Sequence, residues 1–443
     1  PMLQPVARVV DLTDPSVTFL RGVPLEEARA RVARGDTEGV AALEGSYAIV
    51  GVDGITVRLA RSLDRPLRYF LAKEAAGPVL VVADRIDAIQ GWLSANGHAE
   101  QFHPSYTRMV PAHHLATVRL VGCPDPEPSY VRTFTPRRDA LPDDLDVIGR
   151  LYVSALADEI AGWLEAAPSG EPLGVCFSGG IDSGAVFLLT HHVLRRLGMS
   201  PARLKAFTLA LGEGPDLDQA RRFLDACGLG FFLEPVEADA ESLDPFEAVR
   251  VIEDYKPLDV ESATMALALL GRIRARYPKW KLLLDGDGGD ENLKDYPIEE
   301  NTELTIRSVV NNLMLYQEGW GVGSLKHSQT YTGGQSRSYA RTYAPLRRFG
   351  FSGFSPFTRP RVVAVAEGIP FAALTRGSVE KLYALKGEIV ARGVKAVTGV
   401  SMPVFPKRRF QHGAGGEDIY RRRFPHGEAR YRRALIDAFA GAA

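Results

Sequence analysis

Apolar and polar residues alternate along much of the first 135 residues. The stretch "GSYAIVGVDGITVRLARS" alternates, is interrupted by Asp53 and Gly54, and alternates again, which predicts a β-hairpin. "GPVLVVAD" predicts a further strand. We therefore expect a sheet-rich N-terminal domain over residues 1–135. A polar, proline-containing linker is predicted over residues 136–145.

The apolar pattern changes to a helical period from Asp146 onwards. Tyr152, Leu156, Ile160 and Trp163 fall on one face of a predicted helix. Beyond it, the strand-like runs "EPLGVCF", "RLKAFTLAL" and "KWKLLLD" alternate with the helical patterns "SGAVFLLTHHVLRRLG" and "DLDQARRFLDACG". This alternation predicts a doubly wound parallel sheet in a second domain over residues 146–443, and hence a multidomain α/β protein.

The composition excludes several classes of protein. Apolar residues make up 45% of the 443 residues, and the formal net charge of −1 argues against a general nucleic-acid surface. No apolar run reaches the length of a membrane span, and no signal peptide is recognisable, so we expect a cytoplasmic protein. The three cysteines, Cys123, Cys176 and Cys227, are far apart, which favours free thiols over disulfides or zinc ligands.

The glycine turn "FSGGIDSG" lies between a predicted strand and a predicted helix. Gly179 and Gly180 allow the backbone to approach an anion, while Ser178 and Ser183 add hydroxyl groups and the helix N-terminus favours phosphate. Asp182 would repel a bare phosphate, so its presence suggests a magnesium ion between the two. The alternative is a tight strand–helix turn with a serine cap.

A second acidic turn, "DGDGGDE", follows another predicted strand and places four carboxylates within seven residues. Taken alone, this turn is also compatible with a solvated acidic loop. Together with Asp182 it favours a divalent metal, and we assign Asp182 and Asp290 as magnesium ligands. Gly286 in this turn, and Asp216 after the next strand, are further candidates for nucleotide contact.

The glycine turn resembles the pyrophosphate loop of the N-type ATP pyrophosphatases, which cleave ATP between the α and β phosphates. It lacks the lysine of a Walker loop. More widely, the chain resembles the asparagine synthetase family, which includes β-lactam synthetase. The segments that carry this resemblance are "LEGSYAIVGVDG", "RSLDRPLRYF", "FSGGIDSG", "VIEDYKPLDVESATM", "DGDGGDENLKDY", "PKRRFQHGAG" and "FPHGEARYRRALIDAF".

The resemblance implies a fold and a set of catalytic residues. It implies an N-terminal αββα sandwich of the glutaminase type and a C-terminal sheet of the adenine nucleotide α-hydrolase type, with ATP and Mg²⁺ as cofactors. The family's synthetase glutamate falls on Glu253, the candidate base for the amine, with Tyr255 beside it. The family's lysine falls on Lys407, which would stabilise the oxyanion or the leaving phosphate. Outside this context, Glu253 reads as a surface glutamate and Lys407 as part of a solvated basic patch.

Two departures from the family narrow the expected reaction. The chain begins with Pro1 where glutamine-dependent relatives begin with cysteine, so glutaminase activity is not expected unless an upstream cysteine has been lost. In "FSGFSPFTR", Ser352, Phe354 and Arg359 replace Glu, Arg and Asp of asparagine synthetases, so we expect a changed substrate side of the pocket and a substrate other than aspartate.

We therefore predict an AMP-forming amide synthetase of specialised metabolism, such as antibiotic biosynthesis, which joins a carboxylic acid to an amine. The acid and the amine belong to one molecule, to two molecules or to a peptide. The sequence leaves open whether the protein forms a homodimer. Neither nucleic acid nor membrane is expected as a partner. The alternatives are an ammonia-dependent asparagine synthetase, a lasso-peptide-type cyclase and a non-catalytic nucleotide-binding homologue.

Overall fold

The computed structural model describes residues 8–75, 77–121, 127–168, 170–212, 214–293, 339–376, 378–406 and 408–440. The first part of the chain forms two four-stranded sheets and a short two-stranded one. Its strands are β1 (Arg8–Asp11), β2 (Phe19–Leu20), β3 (Gly45–Ser46), β4 (Ala48–Asp53), β5 (Thr56–Arg61), β6 (Arg68–Ala72), β7 (Val79–Ala83), β8 (Arg108–Met109), β9 (His114–Arg119) and β10 (Ser129–Arg132). Its α-helices are α1 (Leu25–Arg34), α2 (Thr37–Ala41) and α3 (Ile86–Ala95).

These elements form the predicted αββα sandwich. One sheet has the order β1-β7-β6-β8 and the other β10-β9-β5-β4. Their inner faces share a core that includes Val57 and Leu59 from one sheet and Leu80 and Val82 from the other. Helices α1 and α2 pack on the outer face of the second sheet, and α3 packs on the outer face of the first. The predicted hairpin is β4–β5, in which Asp53 pairs with Thr56.

The second part of the chain is built on one parallel sheet. Its strands are β11 (Leu173–Cys176), β12 (Leu204–Ala210), β13 (Leu233–Glu237), β14 (Leu282–Leu284) and β15 (Ser352–Phe354). They lie in the order β13-β12-β11-β14-β15, and every neighbouring pair is parallel. The predicted doubly wound α/β sheet is thus confirmed.

Helices cover this sheet, as the strand–helix alternation requires. They are α4 (Leu145–Ala166), α5 (Ile181–Arg196), α6 (Pro215–Ala226), α7 (Pro245–Ile252), α8 (Pro257–Arg276), α9 (Gly289–Asn292), α10 (Ala344–Arg348), α11 (Pro360–Glu367), α12 (Phe371–Thr375), α13 (Val379–Thr398), α14 (Phe410–Arg423) and α15 (Glu428–Ala440). The main core lies between the sheet and α4, α5 and α13. The domain boundaries of 1–135 and 146–443 stay a prediction.

Candidate active site

The candidate site lies where the direction of the chain connections reverses. From β11 the chain passes through β12 to β13 on one side, whereas β14 and β15 lie on the other side of β11. In doubly wound sheets the crevice beyond the carboxyl ends of the strands at this point is the usual ligand site. A pocket of about 530 Å³ occupies this position. Both acidic glycine turns line it.

The first turn joins β11 to α5 and contributes Ser178, Gly180, Asp182 and Ser183 to the pocket. The Ser178 amide donates to Ser183 Oγ at 3.2 Å, and the Gly180 amide donates to Ser178 Oγ at 3.3 Å. Gly180 is the N-cap residue of α5, and no side chain caps this helix. The first amides of α5 therefore point at the pocket without a side-chain acceptor, which is the arrangement that binds phosphate.

Gly179 serves the shape of this turn and does not line the pocket. It has a φ of 71°, in the left-handed region that favours glycine. A Cβ atom here would lie 2.9 Å from the Cα atom of Ala220 in α6. The predicted phosphate contact of Gly179 therefore rests on its backbone, and the close approach of α6 requires the absence of a side chain.

The second turn, between β14 and α9, packs directly against the first. A Cβ atom on Gly286 would lie 2.9 Å from the Ser183 nitrogen, and one on Gly289 would lie 2.2 Å from Asp182 Oδ1. The Asp287 amide donates to Asp285 Oδ1 at 3.0 Å, which closes the turn. The glycines of "DGDGGD" thus allow the carboxylates of the two turns to converge, as the pairing of the motifs predicted.

Lys386 is the residue at the centre of the site that the sequence analysis missed. Its Nζ atom lies 2.7 Å from Asp182 Oδ2 and also contacts Asp290 Oδ1. The Lys386 side chain is only 3% exposed, whereas the side chains of Asp182 and Asp290 are 19% and 24% exposed on the pocket side. The sequence did carry an indication, because Lys386 occupies an apolar-stripe position of α13, next to Leu385 and three residues before Ile389.

The two predicted magnesium ligands fit an ion that arrives with a nucleotide. Asp182 and Asp290 both contact one lysine nitrogen, so their carboxylates face a single point. Among the described residues, no group of three His, Cys, Asp or Glu side chains is arranged to hold a metal ion. Magnesium usually takes one or two carboxylates together with substrate phosphates and water. Two aspartates beside an open helix N-terminus match that donor set.

Asp216 lines the opposite side of the pocket, in the first turn of α6. Burial raises the pKa of its carboxyl group to about 7, although the nearby Arg408 acts to lower it. A Cβ atom on Gly413 would clash with Asp216 Oδ1, so the first turn of α14 packs closely onto this carboxyl group. Asp216 is therefore a group whose charge changes near neutral pH.

We expect the raised pKa of Asp216 to make the free energy of unfolding depend on pH. Its folded pKa lies above the ordinary 3.8, so its contribution to stability is complete below about pH 4 and is lost as the pH rises through about 7. The stability of Asp216→Asn relative to the parent protein should therefore rise between pH 5 and pH 8, by about 3 kcal/mol. Urea unfolding of both proteins at pH 5 and at pH 8 measures the two free energies of unfolding. A difference between variant and parent that is the same at both pH values would contradict the prediction.

Helix α8 and several basic residues form the remaining walls. The helix presents one largely apolar face to the pocket, comprising Leu258, Ala266, Leu269 and Leu270 together with the polar Ser262. Arg341, Arg408 and Arg409 also line the pocket, as do Asp285 and Asp287. Burial raises the pKa of Asp285 to about 6, and Ser355 Oγ donates a hydrogen bond to it. The site thus combines phosphate-binding groups, several carboxylates and an apolar surface.

The structure does not bring Glu253 to this pocket. Glu253 is fully buried and pairs with Arg68 at 3.2 Å and with Arg85 at 3.4 Å. It also accepts hydrogen bonds from the amides of Ile86 and Asp87, the first residues of α3. The predicted role of base for the amine does not fit this position, because all these partners belong to the N-terminal sandwich. Glu253 instead caps a helix there.

The other catalytic candidates are also displaced from the pocket or lie outside the described part of the chain. The ring of Tyr255 packs beside Arg432, whose guanidinium carbon is 5.8 Å from the ring centroid, and Tyr255 does not line the pocket. Lys407 lies outside the described residues, although its neighbours Arg408 and Arg409 line the pocket. The proposed Tyr255 role is therefore not carried further.

The departures in "FSGFSPFTR" do not reshape the pocket directly. Phe354 stacks on Trp163 with ring centroids 5.1 Å apart, and Ser352 lies exposed on β15. Arg359 is buried and pairs with Asp64 of the N-terminal sandwich at 2.8 Å. None of the three replaced residues lines the pocket. The expectation that these residues alter the substrate side of the pocket is therefore not carried further. Phe354 instead packs in the core, and Arg359 joins the two parts of the chain.

Part of the chain is similar to a known protein family. Residues 165–344 match the family model described as asparagine synthase, a family of ATP-dependent ligases. This range contains both acidic glycine turns and α8, whereas Lys386 and α14 follow it in the chain. A search of curated proteins found no match. Across the described residues, no helix combines the length and the apolar composition needed to cross a membrane.

Proposed function

Starting from the likeness of residues 165–344 to asparagine synthase, we propose that the protein is an ATP-dependent, AMP-forming amide synthetase. It adenylates a substrate carboxylate, releases pyrophosphate and transfers the acyl group to an amine. The acid and the amine are small molecules or parts of one molecule or peptide. The family likeness supports amide-bond formation in general, and the geometry of the pocket supports the AMP-forming route.

One observation carries this proposal. Lys386 and the two aspartates Asp182 and Asp290 converge beside the uncapped N-terminus of α5, at the switch point of a parallel sheet. Amides, a lysine and carboxylates suited to a magnesium ion are the groups that stabilise a pyrophosphate leaving group.

Each group has a distinct task in the first step. The substrate carboxylate attacks the α-phosphorus of ATP, and negative charge accumulates on the pyrophosphate that leaves. The amides at the start of α5 and the hydroxyl groups of Ser178 and Ser183 hold the leaving phosphates. Lys386 places its positive charge beside them. A magnesium ion held by Asp182 and Asp290 would supply further charge neutralisation when bound.

The second step needs a base for the attacking amine, and we assign this role to Asp287 in place of Glu253. Asp287 lines the pocket, three residues before the proposed magnesium ligand Asp290, and in our proposal it faces the acyl group on the α-phosphate of AMP after pyrophosphate has left. Asp285, a further pocket carboxylate of this turn, is buried and accepts a hydrogen bond from Ser355. The base must reach the amine when the amine meets the acyl-adenylate, which requires a pocket carboxylate.

The products of the reaction test the proposal directly. Phosphorus NMR of a turnover mixture containing ATP, magnesium and a panel of acid–amine pairs should show AMP and pyrophosphate in equal amounts. The expectation follows from a pyrophosphate-binding turn without the lysine of a Walker loop. Formation of ADP and phosphate would contradict the proposed reaction.

A further inference from the structure

The N-terminal sandwich contains a charged segment that is almost completely buried. Residues 61–68, "RSLDRPLR", join β5 to β6, and we call them the buried arginine segment. Arg61, Arg65 and Arg68 are at most 1% exposed, and Asp64 is 5% exposed. Charged side chains are almost never buried to this extent unless they are paired. The partners of this segment therefore indicate what it does.

The first partner lies on the segment that supports the second acidic turn. Asp64 Oδ2 pairs with Arg359 at 2.8 Å, and Arg359 also donates to the Gly45 carbonyl at 2.7 Å. Two residues shortly before Arg359, Phe354 and Phe357, form hydrogen bonds with the two ends of the second acidic turn. The Phe354 carbonyl accepts from the Asp285 amide at 3.2 Å, and the Phe357 carbonyl accepts from Asn292 Nδ2 at 2.8 Å.

The second partner lies on the segment that leads from the pocket wall into α10. The Arg65 guanidinium donates to the Val17 carbonyl at 2.6 Å and to Asp84 at 3.2 Å. Its central carbon lies 5.9 Å from the centroid of the Tyr343 ring, a cation–π arrangement. The two residues before Tyr343 are Arg341 and Thr342, and both line the pocket.

The third partner stands just before the pocket-lining helix α8. Arg68 pairs with Glu253 at 3.2 Å, and both side chains are fully buried. Glu253 has a φ of 52°, so the chain turns sharply there before α8 begins at Pro257. The Arg68–Glu253 pair therefore fixes the point from which α8 starts, and α8 supplies the apolar wall of the pocket.

One short segment of the sandwich thus binds three separate segments that carry pocket walls. We propose that the buried arginine segment positions the active site, so that the N-terminal sandwich is a fixed part of the synthetase framework. Asp64, Arg65 and Arg68 act as positioning residues through Arg359, Tyr343 and Glu253. The inference rests on the proposed function, because it takes the pocket to be the ATP site.

The test compares two ion pairs between the same two parts of the chain. Arg359→Met removes the partner of Asp64 next to the acidic turn. Glu159→Gln is the matched control, because it breaks the Arg21–Glu159 ion pair of 3.1 Å between the sandwich and α4, away from the pocket lining. Hydrogen exchange is measured without nucleotide on the peptide 284–293. The peptide 233–237, on β13 at the far edge of the sheet, serves as internal reference.

We expect Arg359→Met to raise the exchange of residues 284–293 about tenfold over the reference peptide, by local opening of the turn. Calorimetric binding of magnesium-ATP should weaken about fivefold or more in this variant, as for other couplings through packed segments. Arg359→Lys should recover part of both losses, because a lysine retains the charge opposite Asp64. Glu159→Gln should change neither measurement.

Each result decides the matter. If residues 284–293 exchange in Arg359→Met as they do in Glu159→Gln, the segment does not position the turn and the inference is wrong. If Arg359→Met does not fold, Asp64→Asn takes its place, because it removes the charge opposite Arg359 and keeps the size of the side chain. Unchanged exchange of 284–293 in that variant overturns the inference as well. If the parent protein binds no magnesium-ATP, the proposed function fails, while the exchange comparison still decides the positioning role.

Discussion

Replacing Lys386 with methionine should lower acid-dependent exchange of pyrophosphate into ATP by about a hundredfold or more. The reason is that Lys386 is the cation between Asp182 and Asp290, at the point where the leaving phosphates gain negative charge. Its loss removes a stabilising charge and leaves the two carboxylates facing the phosphates. The exchange assay isolates the first chemical step, so the result does not depend on the amine.

A lysine on the same helix provides the matched control. Lys381 lies exposed in the first turn of α13, five residues before Lys386. Lys381→Met changes the net charge equally and should leave exchange within about twofold of the parent rate, as surface substitutions away from special features usually do. Equal rates of pyrophosphate exchange in the Lys386 and Lys381 variants would show that Lys386 does not stabilise the leaving phosphates. Circular dichroism of both variants confirms that they are folded.

Glu253→Gln should lower the free energy of unfolding by about 3–5 kcal/mol, the usual cost of removing one partner of a buried ion pair. Glutamine keeps the size of the side chain but removes the negative charge that lies 3.2 Å from the fully buried Arg68. Urea unfolding measures the loss. In the fraction that remains folded, pyrophosphate exchange and amide formation should change in parallel, because Glu253 does not line the pocket.

The exposed Glu247 on the neighbouring helix α7 offers the control for this variant. Glu247→Gln should alter the free energy of unfolding by no more than about 0.5 kcal/mol. The Glu247 side chain is half exposed, and its ion pair with Arg348 is long, at 4.0 Å. The opposite result would support the role of Glu253 as the base for the amine, which the family resemblance implies. That result is unchanged stability in Glu253→Gln, with exchange retained and amide formation lost about a hundredfold.

The sequence was sufficient for features that depend on residues close together in the chain. Strand–helix alternation predicted the parallel sheet, because the period of apolar residues is fixed within each element. The turns at 178–183 and 285–290 were recognisable because each follows a predicted strand, where ligands bind in sheets of this kind. That the two turns meet could also be anticipated, since carboxyl ends of parallel strands share one edge of the sheet.

The roles of individual charged residues were decided by the tertiary structure. Lys386 is 204 positions from Asp182, and Glu253 is 185 positions from Arg68. A lysine within a helical stripe and a glutamate after a short helix look alike in sequence whether they face solvent, a ligand or another charge. Only packing fixes the burial and the partner, and these two quantities determine whether a charge acts on phosphate or holds two parts of the chain together.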